Sequence, residues 1–234
     1  MSAGPVPTAK PKKEQAEVVA FDAGSALARR TLLGMLAIAA APLSQHARAD
    51  TSSADATVPV RHFNGALLAT MRTADQAAFG SRFRTLAPVV DQTFDLRAVL
   101  AASVGSNWAG VSPDQQGRLL DAFRRYTIAS YVANFARYDG QSFAVSPDTR
   151  RLDAERVVVE SRLVPRRGDP TELDYVMKQS PSGWKIVDVL SAGSISRVAE
   201  QRSDFRHIMS RGGGDALLAN LEHKVAELSG GAEV

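Results

Sequence analysis

The chain has 234 residues, of which 44% are hydrophobic and 23% charged, and it contains no cysteine. This length allows one or two domains, and the lack of cysteine excludes disulfides, thiol catalysis and cysteine metal sites. The formal net charge is +3, but residues 1–49 hold six of the 28 Lys and Arg and only three of the 25 acids, so the remainder is close to neutral. A neutral remainder lacks the positive field that nucleic-acid binding requires, which excludes that class of protein.

Residues 1–49 are predicted to be an export signal that is cleaved after Ala49. Arg29-Arg30 precede an apolar run at residues 31–41, and Ala47-Arg48-Ala49 resembles a cleavage site with small residues. This order of basic, apolar and small residues is typical of a secretory signal. The run of 11 residues is shorter than the roughly 20 that a transmembrane helix needs. Both a twin-arginine signal and general secretion fit this pattern, so the sequence predicts a periplasmic protein.

The first part of the remaining chain is predicted to be helical after a flexible start. Residues 50–60 are small and polar and favour a flexible segment. Apolar residues at helical spacing follow from Arg61, and a second helical stretch covers residues 79–90. Pro88 predicts a break or kink in that second stretch.

The clearest helix start in the sequence is Ser112-Pro113-Asp114-Gln115. Serine at the N-cap, proline at the first helical position and glutamine at the third predict a capping box. Apolar and aromatic residues continue at helical spacing, so we expect this helix to end near Arg137.

After Gly140 the apolar residues alternate instead of following a helical period, which predicts strands. Short turns between these strands indicate antiparallel pairing. The four predicted strands cover residues 141–146, 154–164, 171–179 and 183–190. Two further helices are predicted at the C-terminus, joined by a glycine turn at residues 212–214. The sequence therefore predicts a single α+β domain over residues 61–230, with helices packed on one face of a curved four-stranded antiparallel sheet.

Catalytic and metal-binding patterns are scarce in this sequence. His62, His207 and His223 lie far apart, none belongs to a His-Glu-x-x-His motif, and no serine lies in a Gly-x-Ser-x-Gly motif. We therefore predict neither a metal nor a cofactor. Asp188 is the one candidate catalytic base, because strict alternation places it on the strand face of Trp184 and Ile186. The alternative role for Asp188 is to cap the helix that follows.

One stretch near the C-terminus resembles a known family. Residues 184–189 read WKIVDV, Gly193 and Ser194 follow, and the next helix contains Val198, Arg202 and Phe205. The sequence resembles the MlaC-type proteins, also known as toluene-tolerance or ABC-transporter auxiliary substrate-binding components, whose motif is a W-K-I-x-D-V strand, a G-x-S turn and a V-x-x-Y-R-x-x-F helix. Gln201 stands where that family usually has tyrosine.

The resemblance extends over roughly residues 60–230, because the helix that begins at Ser112-Pro113-Asp114-Gln115 also matches the family. It implies a cone-like sheet related to nuclear-transport-factor folds, with an apolar cavity for the acyl chains of a phospholipid and the head group outside. It also implies work with an inner-membrane ABC transporter that has a substrate-binding ring, and with an outer-membrane lipoprotein complex. The length and leader resemble the hopanoid-associated HpnM branch, for which the ligand would be a hopanoid-like lipid.

The residues predicted to contact the lipid are apolar or aromatic and lie at helix and strand positions that should face the interior: Val90, Phe94, Val99, Phe123, Tyr126, Tyr131, Phe135, Val157, Val159, Tyr175, Met177, Trp184 and Ile186. A closed core and a lined cavity give the same sequence pattern. Two alternatives to a lipid shuttle therefore remain at this point: an enzyme that acts on an apolar substrate with Asp188 as base, and an adaptor without a ligand.

Overall fold

The structure is a computed structural model that describes residues 46–234, with side chains described from Ala56 onward. Residues 1–45 of the predicted signal lie outside the described residues, and its last four residues belong to the first helix. The helices are α1 (His46–Arg72), α2 (Phe79–Thr93), α3 (Leu96–Val104), a short 3-10 helix (Gly105–Gly110), α4 (Pro113–Asn134) and α5 (Arg197–Ser229). The strands are β1 (Ser142–Arg151), β2 (Arg156–Val164), β3 (Thr171–Ser180), β4 (Gly183–Ser191) and β5 (Ile195–Ser196).

The strands form one antiparallel sheet in which each strand pairs with the next along the chain. This meander, with helices before and after it, confirms the predicted α+β fold. The sheet has one strand more than predicted, because a turn at residues 192–194 follows β4 and the chain returns as the two-residue β5. Strand β4 therefore does not lead directly into α5.

The segment at residues 50–60, expected from its composition to be flexible, belongs to α1. Ala56 and Val60 are fully buried in the core, and Thr57 is nearly so. Burial of these small side chains stabilises the helix in spite of the poor helix propensity of the segment and of Pro59 within it. No helix within residues 46–234 is long and apolar enough to cross a membrane.

Pro88 does not end α2, which continues to Thr93. The side chain of Pro88 is exposed, so its ring points to solvent instead of into the core. Its nitrogen cannot donate a helical hydrogen bond, but the neighbouring Leu86, Ala87 and Val90 remain buried and hold the helix against the core.

Helix α4 begins where the sequence predicted. Ser112 is the N-cap and its Oγ accepts a hydrogen bond of 3.3 Å from the backbone N–H of Gln115, with Pro113 at the first helical position. The second bond of a capping box is replaced, since the Gln115 amide donates to Asp215 Oδ1 at 2.8 Å. The bond ties the start of α4 to the second half of α5. Helix α4 ends at Asn134, slightly earlier than expected.

Strand β1 extends past the predicted end at residue 146 to Arg151. Its pairing with β2 shifts register between Val145 and Thr149, and Pro147 lies within this irregular stretch. A proline cannot donate a ladder hydrogen bond and is tolerated at edges and bulges. Strand β1 is an edge strand, so the bulge lets it continue beyond the proline.

The glycine turn predicted near the C-terminus interrupts α5. The backbone angles leave the helical range at Gly212 and Gly213, and Gly213 has a φ of +62°, a conformation that favours glycine. The two halves of α5 are thus the two helices that the sequence predicted. Helix α5 packs beside both α3 and α4. Gln201 in its first half contacts Ser103 on α3, and Asp215 in its second half contacts Gln115 on α4.

Candidate functional site

The thirteen residues predicted to contact lipid belong to one continuous hydrophobic core. Ten of them are buried, and Tyr131, Phe135 and Trp184 are partly buried against the others. The core lies between one face of the sheet and the surrounding helices. Val157 pairs with Met177 and Val159 with Tyr175 across β2 and β3, so these four side chains share that face.

An aromatic cluster occupies the centre of this core, and we define it as Phe63, Phe94, Tyr131, Phe135, Phe143 and Tyr175. The ring centroid of Phe63 lies 4.9 Å from those of Phe94 and Tyr131, in edge-to-face geometry. Further contacts connect Tyr131 to Phe135 and Phe135 to Phe143, each with centroids 6.2 Å apart. The rings contact one another and fill the centre of the core.

Phe63 was not among the predicted lipid contacts, although it is fully buried at the centre of the cluster. Two other aromatic residues of the core were also not among the predicted contacts. They are Phe143 and Phe205, and Phe205 packs edge-to-face on Phe123 with centroids 6.3 Å apart. The spacing of Phe63, Leu67 and Met71 along one face of α1 is the signal that could have found Phe63. Its place opposite the sheet depends on how α1 packs.

A buried polar trio crosses the apolar core between α1 and the sheet, and consists of Asn64, Ser161 and Tyr175. The Tyr175 hydroxyl donates to Asn64 Oδ1 at 2.6 Å, and the Asn64 amide donates to Ser161 Oγ at 3.0 Å. Burial raises the pKa of the Tyr175 phenol well above its ordinary value, so Tyr175 is a neutral donor. The trio fixes one face of α1 against β2 and β3.

The position of Asp188 differs from the alternation predicted for β4. Met177 pairs with Ile186 while the preceding Val176 pairs with Asp188, so Val187 is an extra residue in β4. Such a bulge reverses the faces of the residues that follow it. Ile186 faces the core, whereas Asp188 faces away from it with Val176. The prediction that Asp188 shares a face with Trp184 and Ile186 is therefore wrong.

The alternative role of Asp188 agrees with its contacts. Its Oδ1 accepts hydrogen bonds from the backbone N–H groups of Val189 at 2.8 Å and Val198 at 3.0 Å, and its Oδ2 accepts one from the Ser196 hydroxyl. Ser196 Oγ in turn accepts from the backbone N–H of Ala199 at 3.0 Å. Asp188 and Ser196 together satisfy two of the free N–H groups at the start of α5. This carboxylate is occupied in holding α5 to β4.

Gln201, at the position where the related motif has tyrosine, is buried between α5 and α3. The single proton of the Ser103 hydroxyl is shared between Gln201 Oε1, 3.0 Å away, and the Val99 carbonyl, 2.8 Å away. The substitution is thus matched by a polar partner on α3. No group of three or more His, Asp or Glu side chains that could hold a metal ion occurs in the described part of the chain.

An open groove of about 500 Å³ lies at one end of the core, between the α2–α3 junction, α4 and the β3–β4 turn. Its walls carry the three cations Arg97, Arg124 and Lys185 and the three carboxylates of Asp91, Asp95 and Asp121. Phe94 of the aromatic cluster also lines it. The apolar core and the charged groove therefore meet at Phe94, Leu96 and Leu120.

The model of the MlaC protein family matches residues 62–223, which is more than half of the chain. The chain belongs to the MlaC family. The match covers the polar trio, the bulged β4 and most of α5, and so includes the elements that build the core.

A solved structure with the same architecture is a phospholipid-binding protein from Ralstonia solanacearum, determined in complex with a phospholipid. It is 26% identical to this MlaC family chain, with a TM-score of 0.66, and the alignment covers 75% of this chain and 99% of the Ralstonia protein. The similarity thus extends over essentially the whole of the smaller protein. The hopanoid branch is not distinguished by these similarities.

Proposed function

We propose that this protein is a periplasmic shuttle that binds a phospholipid through its apolar core and carries it between membranes with an ABC transporter. The observation that supports it most directly is the similarity to the phospholipid-bound Ralstonia protein, which covers 99% of that protein. The continuous apolar core adds a physical argument, because all thirteen predicted contacts belong to it. The family also supports a binding protein instead of an enzyme.

Burial of the acyl chains provides enough free energy to bind a lipid without a covalent bond. Burial of each CH₂ group contributes about 0.8 kcal/mol, so two acyl chains of roughly 15 carbons would contribute on the order of 20 kcal/mol before ordering costs. Separation of the aromatic cluster opposes part of this gain. Release then requires a partner that offers an equivalent apolar site or favours an open state. An ABC transporter at the inner membrane would provide the partner and the energy.

Binding is proposed to occur by separation of the helices from the sheet around the aromatic cluster. Phe63 on α1, Phe94 after α2 and Tyr131 on α4 are in mutual contact, so they fill the space that acyl chains need. Replacing these ring contacts by contacts with methylene groups keeps the interior apolar in both states. The polar trio, which connects α1 to the sheet, limits how far α1 can move.

Native mass spectrometry tests the proposal on the full chain expressed with its own leader and purified from a Gram-negative periplasm. We expect a discrete adduct that resolves to phospholipid after extraction, and a hopanoid adduct would assign the chain to the hopanoid branch. A bare protein mass, even after incubation with phospholipid vesicles, would contradict lipid carriage and favour an adaptor.

Two variants test whether the core is the binding site. Met177 is fully buried, so Met177→Lys should abolish the adduct, while Leu152→Lys at a 45% exposed position should keep it. Val99→Phe adds volume without charge within the core and should lower lipid occupancy, while circular dichroism should show that the protein stays folded. Normal occupancy in both core variants would show that lipid binds elsewhere.

A further inference from the structure

The charged groove at the end of the core is lined by the Phe94 ring as well as by charged side chains, and Phe94 is only 7% exposed. Its ring contacts Phe63 and Tyr131 on the core side, with centroids 4.9 and 5.9 Å away. The next residue, Asp95, donates its backbone N–H to the Ile186 carbonyl at 3.0 Å. This bond fixes the α2–α3 junction to β4, so the groove and the core remain adjacent.

A lipid with its acyl chains among the rings of the aromatic cluster would extend from the core to the surface beside Phe94. The head group of that lipid would then lie in the groove, which at about 500 Å³ is large enough for a small polar group. The groove is open to solvent, so a bound head group could keep part of its hydration.

Three of the charged side chains in the groove are already engaged within the protein, although only Arg124 and Asp91 neutralise each other. Arg124 forms two bonds of 2.7 Å with the carboxylate of Asp91, through Nε and Nη2. Asp95 caps α3, since its Oδ1 accepts from the backbone N–H of Ala98 at 2.9 Å. A bidentate ion pair and a helix cap are strong interactions, so the side chains that form them have few donors or acceptors left for a ligand.

Three other charges in the groove have no such partner. Among residues 56–234, neither Arg97 nor Asp121 has a direct ion pair, but the Asp121 carboxylate lies close enough to help raise the pKa of Arg124, which is bound to Asp91. The ammonium group of Lys185 donates to the backbone carbonyl of Gln92, which satisfies one donor but does not neutralise its charge. The groove therefore presents two cations without an ion-pair partner, Arg97 and Lys185, and the carboxylate of Asp121, which shares the attraction of Arg124 with Asp91.

We propose that this groove binds the zwitterionic head group of a phospholipid, with Arg97 and Lys185 facing the phosphate and Asp121 facing the amine. This inference rests on the proposed lipid-binding function and adds the chemical class of the lipid. An arginine guanidinium is suited to phosphate oxygens because of its forked donors. An anionic head group without an amine would make no favourable contact with Asp121 and would be repelled by it.

The expected preference is moderate because the groove is exposed. Exposed ion pairs contribute about 0.2–1 kcal/mol each, and a factor of ten corresponds to about 1.4 kcal/mol. Loss of the amine contact and gain of repulsion at Asp121 together predict roughly a fivefold preference for a zwitterionic over an anionic phospholipid. Salt should weaken this preference, since the charges are accessible to solvent.

The preference can be measured with the full chain after removal of any bound lipid. Protein is incubated with vesicles that contain equal amounts of phosphatidylethanolamine and phosphatidylglycerol with identical acyl chains, separated from the vesicles and extracted for mass spectrometry. The wild type should take up about five times more phosphatidylethanolamine. Asp121→Lys should reverse the preference, and Arg97→Glu should lower uptake of both lipids about threefold.

Matched controls carry the same charge changes outside the groove. Asp204→Lys and Arg206→Glu lie on exposed positions of α5 and should leave both total uptake and preference unchanged. Equal uptake of the two lipids by the wild type, or the same preference in Asp121→Lys, would overturn the head-group site and leave lipid carriage intact. Failure of the wild type to take up either lipid would overturn the proposed function and this inference with it.

Discussion

The Tyr175 hydroxyl on β3 donates a hydrogen bond of 2.6 Å to Asn64 Oδ1 on α1, inside an otherwise apolar core. The two residues are 111 positions apart in the sequence, and both are almost completely buried. A buried polar group without a partner is costly, so this bond fixes α1 relative to the sheet. The same tyrosine ring belongs to the aromatic cluster, so the bond stabilises the closed state of the proposed lipid site.

Removal of this hydroxyl should destabilise the protein. Tyr175→Phe keeps the ring but leaves Asn64 Oδ1 buried without its donor, which we expect to lower the unfolding free energy by about 1–3 kcal/mol. Urea unfolding followed by circular dichroism measures the change. Tyr126→Phe is the control, because the Tyr126 hydroxyl only accepts a long contact of 3.4 Å from Arg197. Equal effects of the two substitutions would contradict the special role of the Tyr175 bond.

The buried phenols should also make stability fall in alkaline solution. Burial raises the pKa values of both Tyr131 and Tyr175 above the ordinary value of 10.0. The folded protein therefore keeps these protons while the unfolded chain releases them near pH ~10. Stability from the neutral phenols is complete below that pH and is lost as the pH rises toward the folded-state pKa values.

Urea unfolding at a series of pH values from about 8 to 11.5 measures this loss, with up to about 1.4 kcal/mol per pH unit for each phenol. Arginine and lysine side chains also affect stability in this range, so the comparison is with Tyr175→Phe. That variant should show a shallower decline, since one of the two phenols is removed. The same slope in wild type and variant would show that Tyr175 ionises as readily in the folded protein as in the unfolded chain.

Asp188 should contribute to the stability of the protein and not serve as a catalytic base. Asp188→Ala removes the acceptor for the Val198 N–H and for the Ser196 hydroxyl, and we expect a loss of about 1–2 kcal/mol, as for other helix caps. Asp188→Asn keeps an acceptor oxygen and should cost less. Thermal unfolding measures both variants beside Asp204→Ala, an exposed aspartate on α5. Unchanged stability of Asp188→Ala would refute the capping role.

The case of Asp188 shows where sequence reasoning fails. Alternation along β4 assigned Trp184 and Ile186 to the core face, and the structure agrees, since Ile186 is fully buried and Trp184 packs on the core. The same alternation assigned Asp188 to the wrong face, because a bulge at Val187 shifts the register of β4. A bulge depends on the pairing of two strands, and the sequence of one strand carries no mark of it.

The beginning of α1 shows a second limit. Residues 50–60 are small and polar, and their local preference is not helical, yet Ala56 and Val60 are completely buried. Tertiary packing determines this helix, and such packing involves residues far along the chain. By contrast, the apolar members of the core were predictable, because burial of one face imposes a period of 2 or 3.6 on each element. Charged residues of the groove follow no period, so their grouping emerged only with the fold.

The turn between β4 and β5 offers a last test of how α5 is held to the sheet. Gly193 has a φ of +69°, and a Cβ atom there would lie 2.7 Å from Oε2 of Glu172. Gly193→Val should therefore lower the unfolding free energy by about 1–3 kcal/mol, because a branched side chain strains this conformation and displaces Glu172.

Gly168→Val is the matched control, since Gly168 also has a positive φ of +91° but no atom within 4 Å of its Cβ position. Both variants share the backbone strain, so a larger loss in Gly193→Val measures the contact with Glu172. Hydrogen exchange should then show faster exchange at the start of α5 in Gly193→Val alone. If Gly193→Val keeps wild-type stability and lipid retention, the turn does not contribute to holding α5 over the sheet.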